Sequence, residues 1–542
     1  MGSGRPPRKH AVVVGGGIAG LSAAVALGRA GVEVTVVEAG AVAGGRLSTP
    51  GRFEFTWAGE PFSFPIEHGV HGIWRRYRNL RRLIEWCGLD HHLRDPGPQE
   101  MITLMPGTDR IHPVEVARLV QWSRIPAPFA QMKPWLDPTL FRAVVQHGPR
   151  GLLSLASGWH FLAYDTASDA DMAAYDAVSV SDLTAAWPPA FRAQFEALSH
   201  SGYFDETGAI SLATFCLGFA FYVTDDRRDA YFDVFDTDAH EALVGPVCAA
   251  IRTLGGHLRL GTRVEALRWT GQDATSRASG VTVVTPEGRR EEIAADAVVL
   301  ALDPPALRQL SQGTPAEAPG LGGASTRGLP SMAVRLWFTR APPDDRAASG
   351  MLANLDADNF FWLHRWQAPF QAWHARTGGG VLECHLYGHH ATRAQIETDE
   401  EAIDRVRAMA ERVWPGLAGS FAIGHLQRNA ATHVSFHPGA MRALPPVRSS
   451  VANVARAGDG IACEHAVLYL ERACLTGTLA AREVLPALGI PIARVPEPLA
   501  PEPAERTVVY ARRAARVLRR AGLLTPLRPG VPTAPNVAEG RE

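Results

Sequence analysis

Four short apolar runs, rich in β-branched residues, punctuate the chain, and each ends in a turn signal. The first, Ala11-Val12-Val13-Val14, breaks into Gly15-Gly16-Gly17-Ile18-Ala19-Gly20 and is followed by LSAAVALGRA, which has helical composition and stops at Gly31. Glu33-Val34-Thr35-Val36-Val37 forms the second and ends in Glu38. The third, Asp296-Ala297-Val298-Val299-Leu300-Ala301-Leu302, is apolar at consecutive positions, as expected of a strand covered on both faces. Val454-Ala455-Arg456-Ala457 closes on Gly458-Asp459. Helical patterns accompany them. Leu243, Val247, Ile251 and Leu254 share one face of a helix closed by Gly255-Gly256, and residues 471–481 form another. A strand from Gly261 to Leu267 and a hairpin turned by Pro286-Glu287-Gly288 lie between. Strands alternating with helices predict an α/β fold on a parallel sheet.

The first turn carries chemistry. Gly15 permits a tight turn, Gly17 lets a pyrophosphate approach the backbone, and Gly20 lets helix pack on strand. Ile18 and Ala19 open the helix whose N-terminus faces the phosphates. Glu38, 18 residues after Gly20, stands where a carboxylate takes both ribose hydroxyls. An ordinary glycine-rich turn lacks this register of strand, helix and acid.

Composition narrows the classes. At 542 residues, 46% apolar and 20% charged, the chain suits two or three domains with full cores and argues against disorder. Its 54 basic and 55 acidic side chains leave no overall field to attract nucleic acid, so any basic patch is local. Cys87, Cys216, Cys248, Cys384, Cys463 and Cys474 contain no C-x-x-C pair, the spread of reduced, buried thiols in a cytoplasmic protein. MGSGRPPRKH has charge but no apolar run behind it, and no window reaches the length of a spanning helix, so neither signal peptide nor membrane span is expected. The longest greasy stretch, GLLSLASGWHFLAY (151–164), suits a buried core helix, a tunnel lining or a dip into one leaflet.

After Glu38 the chain reads AGAVAGGRLSTPG, and Gly44-Gly45-Arg46 in that place resembles the flavoprotein amine oxidase and phytoene desaturase superfamily. The resemblance implies FAD, with the glycine pair and arginine along its pyrophosphate. It further implies Val264 meeting the adenine through its backbone, Ala301 at the end of the returning strand, and Gly458 and Asp459 against the ribityl and phosphate region. Thr476 belongs to a helix starting beneath the flavin ring. The expected fold is α/β, a discontinuous Rossmann-like FAD-binding domain (1–95, 236–325 and 446–490) with an interleaved α+β substrate domain (96–235 and 326–445). Residues 491–542 are expected to be a proline-rich linker, a basic helix and a disordered tail.

IEHGVHGIWRRYRNLRRLIEWCGL resembles the E-x-G-x-H-x-x-x-x-x-Y-x-N-L-x-x-L stretch of ζ-carotene desaturase relatives. Together with ERACLTGTLAAREVL it is similar to the bacterial isorenieratene-synthase type, the β-carotene desaturase/methyltransferases, which aromatise a carotenoid end ring while moving a methyl group. Trp74, Arg75 and Ala462-Cys463-Glu464-His465 depart from that pattern and leave the substrate open. The resemblance implies FAD-dependent desaturation or isomerisation of a hydrophobic isoprenoid, a carotenoid foremost, by hydride transfer to flavin and then to oxygen or a quinone. The alternatives are a flavin oxidase or dehydroxylase of another apolar or amine-bearing molecule, and an isoprenoid carrier without redox chemistry.

Glu67, His68 and His71 are the catalytic candidates, either collecting the substrate's second proton or sealing the flavin's face. Arg75, Arg76, Arg78, Arg81 and Arg82 then read as a helix leaving that wall toward the pyrophosphate or a membrane. Amine oxidases of the superfamily commonly place a lysine, through a water, at flavin N5. Here the lysines are Lys9 and Lys133, neither in the expected strand near 331–340, which demotes an amine substrate. Glu383 and His385 share a strand face while His389-His390 falls in a turn, so no metal is expected. His433 and His437 suit surface or pocket lining; Asp205-Glu206 and Asp225-Asp226 suit caps or turns around the tunnel-like FCLGFAFYV (215–223). In the last helix Arg512, Arg513, Arg516, Arg519 and Arg520 oppose Val509, Leu518 and Leu523, either packed on their own domain or lying on an anionic membrane surface. The expected location is cytoplasmic, with or without that peripheral contact.

Overall fold

The computed structural model describes residues 8–97, 99–115, 142, 145–146, 148–224, 232–271, 277–312, 321, 328–524 and 526–527. Lys133 and Asp225-Asp226 lie outside the described residues. The four apolar runs join His257–Arg259 in a five-stranded sheet ordered His257–Arg259, Glu33–Val37, His10–Val14, Ala297–Leu300, Val454–Arg456, parallel throughout. Consecutive valines work here because both faces are covered. Val13 and Val36 pack beneath the helices Ile18–Arg29, Gly245–Thr253 and Tyr469–Val484, while Val12, Val14, Val298 and Leu300 meet Leu267, Val281 and Val283 of a three-stranded antiparallel sheet on the other side. Strand order reverses around His10–Val14, which puts the Gly15 turn at the switch point where α/β sheets bind ligands.

A second, seven-stranded sheet runs Phe421–Val434, Gly328–Phe338, Val381–Leu386, Asn359–Trp362, Ser349–Ala353, Gln99–Leu104, Ile111–Glu115. Its pairs are antiparallel except Ser349–Ala353 with Gln99–Leu104. Period-two alternation divides its faces. Met332, Val334, Leu336 and Leu382, Cys384, Leu386 enter one core, which leaves Arg335, Glu383 and His385 on the opposite face, with Arg335 paired to Glu383 across the ladder. The hairpin Gly51–Trp57/Glu60–Ile66 packs Phe62 and Phe64 against Trp337, Phe370 and Trp373 of that same side, and so delivers residues 67–71 onto this polar patch. A helical layer, including Pro189–Tyr203 and Leu212–Phe219, closes the far side around Phe161, Trp187, Phe195 and Phe215.

Three expectations need correction. Residues 151–164 do not form one helix: Gly148–Ser154, Leu155–Trp159 and His160–Ala163 are short successive pieces, and Phe161 and Tyr164 are buried core. The proline-rich linker is a docked strap. Prolines there remove N–H donors and hold an extended backbone whose carbonyls need partners, and the arginines of the helix Arg78–Trp86 supply them. Arg82 donates to Glu497 O (3.0 Å), Arg78 to Ala500 O (2.6 Å) and Arg76 to Glu502 O (2.7 Å), while Asn79 donates to Leu499 O and accepts its N–H. Arg81 pairs with Asp233 at 2.5 Å and Arg75 with Asp95. The third correction concerns the last helix, Arg506–Arg520, which buries Val508 and Ala515 rather than Val509 or Leu523 and packs on His160–Ala163. Arg516 pairs with Asp165 and Arg519 with Asp171, ion partners the chain itself provides.

Candidate active site

At the switch point the backbone forms a cradle. Gly15, at φ +102°, could hold no Cβ, since one would lie 2.2 Å from Ala301 O. Gly17 and Gly45 face each other across a short bridge between Gly17 and Gly44, with only glycine surface between them. The helix Ile18–Arg29 starts at Gly17 without a side-chain cap and without an acid in its first turn, so its leading N–H groups and dipole are left to an anion. Glu38, at the end of the neighbouring strand, receives the Gly16 N–H at 2.7 Å and the Gly40 N–H at 2.6 Å. Thr262 N–H donates to Glu38 O, which brings Val264 at the start of the next strand beside the same strand end. From the opposite side Arg46 pairs with buried Asp459 at 2.6 Å, and Thr476 Oγ1 accepts the Gly458 N–H at 3.0 Å. This glycine-lined cradle, an uncapped helix N-terminus and a ribose-type acid fit a flavin dinucleotide.

Beyond Arg46 the Glu67-to-His71 segment divides. Glu67 accepts the Ala239 N–H at 2.9 Å, just before the helical segment His240–Val244, with Gln367 on its other oxygen. Burial raises its pKa to about 7. His68 and His71 meet other neighbours. Their rings lie 6.2 Å apart and His68 meets His433, missed as a partner, at 4.9 Å edge-on. His68 Nε2, His71 Nδ1 and His433 Nδ1 are shut off from solvent without hydrogen-bond partners. Burial, reinforced by neighbouring imidazoles and the Arg46 guanidinium, holds His68 and His433 well below the ordinary imidazole range and His71 at about 4. The three rings are neutral groups able to accept a proton or a hydrogen bond.

Behind them stands a network that local spacing only half revealed. Arg335 donates twice to Glu383 Oε2 (2.8 and 2.5 Å) and once to Pro65 O. Glu383 Oε1 receives the Val70 N–H and lies 2.8 Å from His385 Nε2; His385 Nδ1 lies 3.0 Å from Tyr387 Oη. Arg335, foremost after burial's opposing effect, holds the Glu383 carboxyl below its usual range. Gly69 is required here. It has φ +141°, and a Cβ would stand 2.7 Å from His385 Nε2. The strand expected to supply a flavin-facing lysine carries Arg335 instead, fully engaged, while Lys9 bonds Asp296 at the opposite end of the central strands from the Gly15 turn.

Aromatic rings complete the surroundings. Phe204 lies 4.5 Å from His433, 4.8 Å from Tyr387 and 5.2 Å from Tyr469. Tyr469, at the helix start below Asp459, is held at φ +50°, an uncommon conformation for a bulky residue. Trp74 and Tyr222 extend the wall, and Tyr77 Oη bonds Tyr222 Oη at 2.9 Å. His389 and His390 are not part of this group. They meet His200, and Glu206, expected as a simple turn residue, bonds both His200 and His389. His437 stays apart, bonded to Pro438 O. The six cysteines are free thiols.

Residues 18–485 match the family model described as flavin containing amine oxidoreductase. Over 495 residues, 88% of each chain, the sequence is 28% identical to a carotenoid phi-ring synthase of Streptomyces griseus. A carotenoid phi-ring synthase of Chlorobaculum tepidum is 34% identical over 125 residues, 21% of this chain and 18% of that protein. Among solved structures, cyclohexylamine oxidase from Brevibacterium oxydans IH-35A superposes with a TM-score of 0.61 over 89% of this chain and 100% of its own at 18% identity, a likeness of fold.

Proposed function

This chain belongs to the flavin-containing amine oxidoreductase family, and we propose that within it the protein is a carotenoid-modifying oxidoreductase that desaturates the substrate, with isomerisation of its end ring. FAD is its cofactor. The observation that carries the reading is the likeness to carotenoid phi-ring synthase across 88% of both chains. Bound FAD supplies the hydride acceptor. The cradle from Gly15 to Gly20, Glu38, Gly44, Gly45, Arg46, Val264, Ala301, Gly458, Asp459 and Thr476 holds the dinucleotide.

The rest of the chemistry belongs to the side chains. Allylic hydride loss from a polyene leaves positive charge delocalised along it, and a site for such a substrate needs apolar aromatic walls. Phe204, Tyr387 and Tyr469, which touch one another, offer π-surfaces to that charge. His68, His71 and His433 stay unprotonated beside Arg46, so one of them takes the proton that completes each desaturation. Glu67 has no direct part, because its carboxyl is committed to Ala239.

Substrate preference tests this. FAD-loaded protein is offered a carotenoid with cyclohexenyl end rings in liposomes, or aliphatic amines and amino acids, each with oxygen or a quinone. The expected outcome is product from the carotenoid alone, lighter by pairs of hydrogens on mass spectrometry. Amine oxidation without carotenoid product overturns the reading, and failure to take up FAD overturns the redox assignment in favour of a carrier.

A further inference from the structure

Away from the cradle, a cleft of about 240 Å³ opens between the helix Pro189–Tyr203 and the start of the helix Gly388–Ile396, which carries the two histidines expected in a turn; Glu196, His200, Asp356, Asp358, His389 and His390 are among its lining. We propose that His200, His389 and His390 bind a divalent transition metal of the zinc type in this cleft, with Glu206 and Asp358 orienting the rings. One ring nitrogen of each histidine lies within 4.8 Å of those of the other two, and among the described residues no other three such side chains come together.

The support around the rings is what distinguishes this cluster from a chance group. His200 Nδ1 lies 2.8 Å and His390 Nδ1 2.9 Å from Asp358 Oδ1, and His389 Nδ1 lies 2.7 Å from Glu206 Oε1. Every ring therefore has a carboxylate at Nδ1, the outer contact that fixes a ligating imidazole. Glu206 Oε2 also lies 2.9 Å from His200 Nε2, a hydrogen bond that the ion displaces. Asp358 is itself immobilised: it is 1% exposed and accepts the Tyr387 N–H at 2.6 Å. Three imidazoles with an open fourth position suit zinc and its neighbours, whereas calcium and magnesium take oxygen shells. Sequence spacing hid the set, since His200 comes from a helix nearly two hundred positions away.

Such an ion ties together two elements that bear on the active site. Phe204 follows His200 at the end of its helix and Tyr387 precedes His389, and those two rings touch at 4.8 Å. The metal is thus a clamp on the aromatic wall, outside the redox chemistry.

The test uses the full-length, FAD-loaded protein without a polyhistidine tag, stripped with a chelator and titrated with Zn²⁺ against a chromophoric competitor. The expected result is about one zinc per chain, bound roughly 10–100-fold more weakly in Asp358→Asn and lost in His389→Ala. His389 is exposed, so that variant keeps its fold and its FAD content, which serve as controls. Absence of zinc uptake by the wild type overturns the proposal, leaving a network held by protons alone. Equal zinc uptake in His389→Ala, or a preference for Ca²⁺ over Zn²⁺, overturns it as well.

Discussion

Glu67 and His68 are adjacent in sequence and meet different partners, which gives two titratable groups different fates. The native state raises the Glu67 pKa from 4.5 to about 7 through burial. Its contribution to stability is therefore full below pH 4.5 and is lost as pH rises through about 7, a change on the order of 3 kcal/mol. Glu67→Gln, which keeps an acceptor for the Ala239 N–H, should remove that slope, so thermal melts of the variant gain on wild type across this window; parallel curves contradict it. His71 works in reverse. Its folded pKa of about 4 lies below the ordinary 6.5, so its contribution is present above pH 6.5 and is lost as pH falls toward 4. If it is the proton acceptor, His71→Asn should retain FAD while flavin reduction by substrate slows by roughly 10²–10⁴-fold, measured in single-turnover mixing; an unchanged rate reduces the ring to lining. The residue types at 67, 68 and 71 were legible in the sequence, and their directions were not. His433 and Arg335 reach this group through pairing across the sheet, which no local spacing announces.

The arginine helix makes the same point at the scale of an element. Its helix was readable, but its partner lies more than 400 positions on, in a segment whose prolines read as a linker. Buried Glu471 accepts the N–H groups of Asn79 and Leu80 as well as Asn79 Nδ2, so one side chain closes the helix start and Asn79 passes the connection on to Leu499. Asn79→Ala should cost about 1–3 kcal/mol, because buried acceptors lose their donor. It should also expose residues 495–505 to limited proteolysis before global unfolding, and a cleavage rate equal to wild type contradicts docking of the strap. Similarly, Arg519→Ala should loosen the last helix from Asp171 and Tyr175, seen as faster amide exchange over 506–520.

For the whole molecule, four strands of the parallel sheet were legible because each is a short apolar run next to its own turn, whereas the fifth, His257–Arg259, carries no such run. The seven-stranded sheet was not. Gln99–Leu104 inserts beside Ser349–Ala353, some 250 positions later, and alternating strands of that kind carry no label for their neighbours. Among the described residues no helix is long and apolar enough to cross a membrane. In the proposed function these layers meet: the cradle holds FAD, and the neutral histidines and aromatic rings beside it serve a carotenoid. Its most direct test is mass spectrometry of a cyclic carotenoid incubated with FAD-loaded protein and, in parallel, with protein stripped of FAD. The account predicts loss of hydrogens from the end ring with the loaded protein alone. Unaltered carotenoid in both, with the flavin shown to be bound, would contradict it.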